Sequence, residues 1–134
     1  MRFICLSRLM NTIFFNNSGG YGGLSSLWNC TFKLYGIDND KIANKIYSNK
    51  ASFDGGIIRS HHGPNIIEIP AYSFINNIAQ YGGALSVFDN TNLKVYGIDN
   101  DAFPCKIQNN KARDHSGFIY LSNSNAEIHN CNFF

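Results

Sequence analysis

Apolar and polar residues alternate along the chain in short runs, and the runs recur. Residues 24–28, 57–60, 84–88 and 118–121 each follow a glycine and carry their apolar side chains at every second position. Residues 32–35, 66–69, 93–96 and 126–129 repeat that pattern a few positions later. A period of two is that of a strand buried on one side. A third kind of run ends in an apolar residue, one spacer and then Asn-Asn or Ser-Asn, at Asn17, Asn49, Asn77 and Asn110. No stretch carries a helical period over the ten or more residues that a βαβ unit needs between its strands. The pattern predicts an all-β chain whose short strands turn at Asn and Gly, the residues that best tolerate left-handed backbone.

The runs belong to a repeat. Lys33-Leu34-Tyr35-Gly36-Ile37-Asp38-Asn39-Asp40 recurs as Lys94-Val95-Tyr96-Gly97-Ile98-Asp99-Asn100-Asp101, and Asn49-Lys50-Ala51 recurs as Asn110-Lys111-Ala112. Each half is two related units, so the chain divides at 12–43, 44–71, 72–104 and 105–130, with an incomplete fifth unit at 131–134. Units that cannot bury an apolar face alone stack on one another. Parallel stacking predicts a β-solenoid of about four coils, each advancing about 4.8 Å, with three short strands per coil. In that register Ser26, Arg59, Ser86 and Tyr120 form one outward column. Lys33, Glu68, Lys94 and Glu127 form another, in which opposite charges alternate. The asparagines Asn16/Ser48/Asn76/Asn109 and Asn17/Asn49/Asn77/Asn110 stack as amide ladders.

Gly82-Gly83-Ala84-Leu85 matches a GGA-I/L/V motif, and Phe14-Phe15-Asn16-Asn17 and Phe74-Ile75-Asn76-Asn77 match FxxN. In these motifs the chain resembles the repeats of polymorphic outer-membrane proteins, which are right-handed parallel β-helices of the pectin-lyase-like class. Gly22-Gly23-Leu24, Gly55-Gly56-Ile57 and Ser116-Gly117-Phe118 are degenerate versions. The resemblance implies a non-enzymatic segment of a longer surface-exposed or secreted adhesin, a scaffold that displays loops to a protein or a glycan. A carbohydrate-active β-helix enzyme is the alternative of a different class, and a truncated, non-functional fragment is a third.

Composition narrows the partners. The 134 residues carry a net charge of +2 with no cluster of Lys and Arg, which excludes a polybasic nucleic-acid surface. No apolar run reaches the roughly 20 residues of a membrane-spanning helix. Arg2-Phe3-Ile4-Cys5-Leu6 is too short for a signal-peptide core, and the chain carries no evident anchor. Open coil ends expose unpaired strand edges and predict edge-to-edge self-association.

Candidate chemistry sits in the loops. Asp38 and Asp40 recur as Asp99 and Asp101 in the longer loops 36–44 and 97–104, with Tyr35 and Tyr96 at their bases. Loops on a rigid scaffold are where binding concentrates, so these six residues are the candidate partner site. Alternate oxygen ligands suggest calcium, but the turn glycine and the bidentate Glu of a calcium loop are missing, so no metal and no cofactor is expected. His61-His62 are adjacent on a strand and point apart. No carboxylates converge outside the loops, and no nucleophile stands beside a base. Cys105 and Cys131 hold equivalent places, as free thiols or as a disulfide. Cys5 and Cys30 have no evident partner. Asn16 and Asn29 head glycosylation sequons; Asn16 falls in the ladder, which leaves Asn29 as the candidate.

Overall fold

Asparagine and glycine do turn the corners. Asn16, Ser48, Asn76 and Asn109 have φ of 54°, 57°, 56° and 52°, values that Asn tolerates better than most residues. The structure is a computed structural model that describes residues 5–10, 13–35, 44–97 and 105–134, with 5–10, 35 and 44 through their backbone alone. A leading strand, β1 (Cys5–Met10), precedes the first coil of β2 (Phe14–Phe15), β3 (Ser18–Gly19), β4 (Ser25–Trp28) and β5 (Cys30–Tyr35). The second coil is β6 (Asn44–Tyr47), β7 (Lys50–Ala51), β8 (Ile58–His61) and β9 (Asn65–Pro70). The third is β10 (Tyr72–Ile75), β11 (Ile78–Tyr81), β12 (Leu85–Phe88) and β13 (Thr91–Tyr96). The fourth is β14 (Cys105–Gln108), β15 (Lys111–His115), β16 (Ile119–Ser122) and β17 (Asn125–His129), after which β18 (Cys131–Phe133) starts another turn.

Strands pair with their equivalents in the next coil and build four sheets. The first face is β2-β6-β10-β14-β18 and the second β3-β7-β11-β15. The third is β4-β8-β12-β16 and the fourth β1-β5-β9-β13-β17. The ladders are parallel throughout, so the chain is a parallel β-helix. Each coil has four strands rather than three. The asparagine corner does not lead straight to the glycine; it first releases β3, β7, β11 or β15 onto a face of its own.

The register is the one the columns require. Ser26 pairs with Arg59, Arg59 with Ser86 and Ser86 with Tyr120. Between them the inward side chains Ile58, Leu85 and Val87 are fully buried. On the fourth face Phe32, Ile67 and Leu93 stack, as do Leu34, Ile69 and Val95, all buried. At the last coil this packing ends in the open: Leu121, Ile128, Phe133 and Phe134 are exposed.

Of the two asparagine columns only one is a ladder. The Asn49 amide nitrogen donates to Asn77 Oδ1 at 3.0 Å, and that of Asn77 to Asn110 Oδ1 at 2.8 Å. The residue before each ladder asparagine holds the left-handed corner instead. Asn16 is accordingly exposed rather than enclosed in the ladder.

The charged row forms as expected. Lys33 Nζ lies 3.0 Å from Glu68, Lys94 Nζ lies 3.6 Å from Glu127, and Tyr96 donates its hydroxyl to Glu68 at 2.8 Å. The Lys33 ammonium, then the Tyr96 hydroxyl, hold the Glu68 carboxyl below its ordinary value against some desolvation. A depressed carboxyl stabilises the fold above its unfolded pKa, and that stability goes as pH falls through the folded value. Thermal melts should therefore weaken on acidification below the ordinary Glu range near 4.5. Glu68→Gln should remove this part of the acid loss, leaving a melting temperature less dependent on pH between the two values. An unchanged pH profile in Glu68→Gln would show that the row carries no linkage.

Candidate functional site

Sequence placed the binding residues on the loops 36–44 and 97–104. Asp38, Asp40, Asp99 and Asp101 lie outside the described residues. Tyr35 is seen through its backbone, as the register partner of Met10. Tyr96 is partly buried, with its hydroxyl on Glu68. Asn29 is the corner between β4 and β5, partly exposed, with φ of 50°.

The outward surface of the third face was not anticipated as a site. It begins at the glycine doublets. Gly22 N–H donates to the Asp54 carbonyl, Gly55 N–H to that of Tyr81 and Gly82 N–H to that of His115. Tyr21, Asp54, Tyr81 and His115 thus stack in one column just ahead of the sheet. Two outward columns of the sheet follow: Ser26, Arg59, Ser86 and Tyr120, then Trp28, His61 and Phe88.

These side chains interlock across all four coils. Phe53 stacks on Tyr21 at 5.1 Å between ring centres. The Arg59 guanidinium carbon sits 4.6 Å from the Tyr21 ring centre and 5.5 Å from that of Phe88. Phe88 lies 5.6 Å from Tyr120, which stacks on His115 at 5.7 Å and meets Tyr81 at 5.8 Å. At the far edge Trp28 rests on His61 and His62 at 5.7 and 5.0 Å. Half or more of Tyr21 and Trp28 is open to solvent, at 50% and 63%.

The electrostatics are local. Arg59 Nε donates to the Asp54 carboxylate at 3.0 Å, and both side chains are largely buried. His62 N–H donates to the Asp89 carboxylate at 3.2 Å. Desolvation, helped by Arg59 and His62, pushes His61 below the ordinary imidazole value, so its ring is neutral at physiological pH. No group of three His, Cys, Asp or Glu side chains able to hold a metal occurs among the described residues.

The cysteines stand partly as expected. Cys105 and Cys131 are register partners on β14 and β18, and both are free thiols. The neighbouring Cys131 thiol, then burial, raises the thiol of fully buried Cys105 well above its ordinary value, and the same neighbour lowers that of Cys131. Cys30, which the repeat left without a partner, is disulfide-bonded, and its register partner is Cys5. The cause is that β1 lies ahead of the first repeat unit and has no asparagine doublet to align it.

No family model, curated protein or solved structure matches the chain.

Proposed function

We propose that the chain is a non-enzymatic β-helix segment of a surface or secreted adhesin-like protein, a rigid scaffold that presents a binding surface. The observation that carries this reading is the third face, where exposed rings are locked together over a fully packed core. Contiguous exposed apolar surface on a soluble domain marks an interaction site. A scaffold whose core columns are committed to packing has only its outward columns and loops to offer a partner. The repeat motifs GGA-I/L/V and FxxN add the expectation of a cell-surface setting.

Two surfaces compete for the partner: the aromatic third face and the Asp-bearing loops. Labelled full chain, applied to a panel of whole cells, is expected to bind saturably. Tyr21→Ala with Trp28→Ala removes rings from the first surface. Asp38→Ala, Asp40→Ala, Asp99→Ala and Asp101→Ala together remove the loop carboxylates. Loss in either folded variant supports the scaffold reading and names the surface; no saturable binding to any cell sinks it.

A further inference from the structure

Two pairs of cysteines occupy the same kind of place in the solenoid. Cys5 and Cys30 are register partners on β1 and β5, and Cys30 is disulfide-bonded. Cys105 and Cys131 are register partners on β14 and β18, and both are free thiols. Register partners on parallel strands stand about 4.8 Å apart, inside the Cα window of about 4.4–6.8 Å that a disulfide needs. Their side chains also leave the sheet on the same side: Cys105 belongs to the buried core, and Cys131 packs against it. The arrangement that is closed at one step of the solenoid is therefore present, and open, at another.

The two free thiols are unlike. Cys105 is fully buried, out of reach of a reagent in solution. Cys131 is half-buried, and the neighbouring Cys105 holds its thiol below the ordinary value. That favours the thiolate, the form that attacks a disulfide.

The strand that carries Cys131 is the one a cross-link would hold. Among the described strands β18 is the last of its face and pairs on one side only, with β14, through three register pairs. Its Phe133 is 61% exposed. A strand with few buried contacts opens more readily than one inside the sheet. A bond between neighbouring coils at this place closes one turn of the solenoid into a covalent ring.

We propose that Cys131 and Cys105 are the attacking and the resolving cysteine of a redox clamp, which closes by exchange with a low-molecular-weight disulfide and pins β18 to β14. The Cys131 thiolate attacks one sulfur of the reagent RS–SR. A Cys131–SR bond forms, the S–S bond of the reagent breaks, and RS⁻ leaves. Cys105 then gives up its proton, and its sulfur attacks that of Cys131 and expels the second RS⁻. The two protons lost by the cysteines end on the two released thiols. Two thiols of the chain are oxidised and one RS–SR is reduced to two RSH. Only Cys131 is open to the reagent, so the mixed disulfide belongs there. The inference does not depend on what the third face binds.

Full chain, with the Cys5–Cys30 bond in place, is treated with oxidised glutathione and sampled over time by intact and peptide mass spectrometry. The expected result is a glutathione adduct at Cys131 that gives way to an internal disulfide between Cys105 and Cys131. In Cys105→Ala the adduct should form and stay; in Cys131→Ala neither product should form. Pairing is read from the parent chain alone, so the test stands even where a variant fails to fold. Closure should slow hydrogen exchange at residues 130–134 by about tenfold or more, with the second and third coils unchanged. It should raise the melting temperature by roughly 5–15 °C. A lasting Cys131 adduct in the parent, modification of neither thiol, or exchange with Cys5 or Cys30 instead would overturn the inference. So would a closed pair that leaves exchange at residues 130–134 as it was.

Discussion

Asn77→Ala is expected to destabilise the fold by about 3–5 kcal/mol, with a fall in melting temperature of roughly 10–20 °C. Asn77 is fully buried in the third coil. Its Oδ1 accepts from both the backbone N–H and the side-chain amide of Asn49, each at 3.0 Å. Its own amide donates to Asn110 Oδ1 at 2.8 Å and to the Ile46 carbonyl at 3.0 Å. Alanine takes away all four bonds and strands two donors of Asn49, itself buried, where water cannot replace the acceptor. A stranded buried donor costs about 1–3 kcal/mol, and the small void adds to it. Asn17→Ala is the control. Asn17 begins the ladder, is half-buried, and its removal leaves the neighbouring Asn49 Oδ1 unneeded by that amide alone. Its cost should stay near 1 kcal/mol. Chemical denaturation of the two variants checks the ranking, and equal losses would mean that the ladder does not act as a connected network.

The ladder was legible because its signal is repeated four times at fixed spacing. So was the Lys33–Glu68–Lys94–Glu127 row, since charge alternation between coils is a check that no single strand can supply. A second polar corner escaped notice. Asn65 Oδ1 accepts from Cys30 N–H at 2.8 Å, its amide donates to Thr91 Oγ1 at 3.2 Å, and Thr91 N–H donates to Ser124 at 3.1 Å. This column changes residue type in every coil, so sequence comparison between coils cannot find it, although the hydrogen-bonding need is the same. The aromatic surface escaped for a related reason. Arg59 and Tyr120 were placed outward correctly, but Phe53 and His115 look like spacers until the coils are stacked. Rings that meet through space between coils have no common spacing along the chain.

Gly56→Ala and Gly83→Ala are expected to disrupt the fold at least as severely, and the repeat itself says why. The first glycine of each doublet supplies backbone freedom: Gly22, Gly55 and Gly82 have φ of 63°, 58° and 56°. The fourth coil carries Ser116 there, at φ of 38°. The second place is glycine in all four coils: Gly23, Gly56, Gly83 and Gly117. Both places are crowded, but at the first the obstacle is a carbonyl of the same coil, that of Ser25, Ile58 or Leu85, whereas at the second it is the coil that follows. A Cβ on Gly56 would lie 2.1 Å from the Gly83 carbonyl oxygen, and a Cβ on Gly83 would lie 2.1 Å from that of Gly117. Both obstacles are backbone of the next coil, which cannot swing aside as a side chain would. Accommodation means prising two coils apart and giving up ladder hydrogen bonds on either side, at a cost of about 3–5 kcal/mol against a usual total of about 5–15. Gly117 is the graded comparison. The nearest obstacle to its Cβ is the Asn110 carbonyl oxygen, within its own coil and 2.6 Å away. Gly117→Ala should therefore be clearly milder. Urea unfolding of the three variants, read by far-ultraviolet circular dichroism, gives the order. If Gly117→Ala proves as damaging as Gly83→Ala, contact with the following coil is not what reserves this column for glycine.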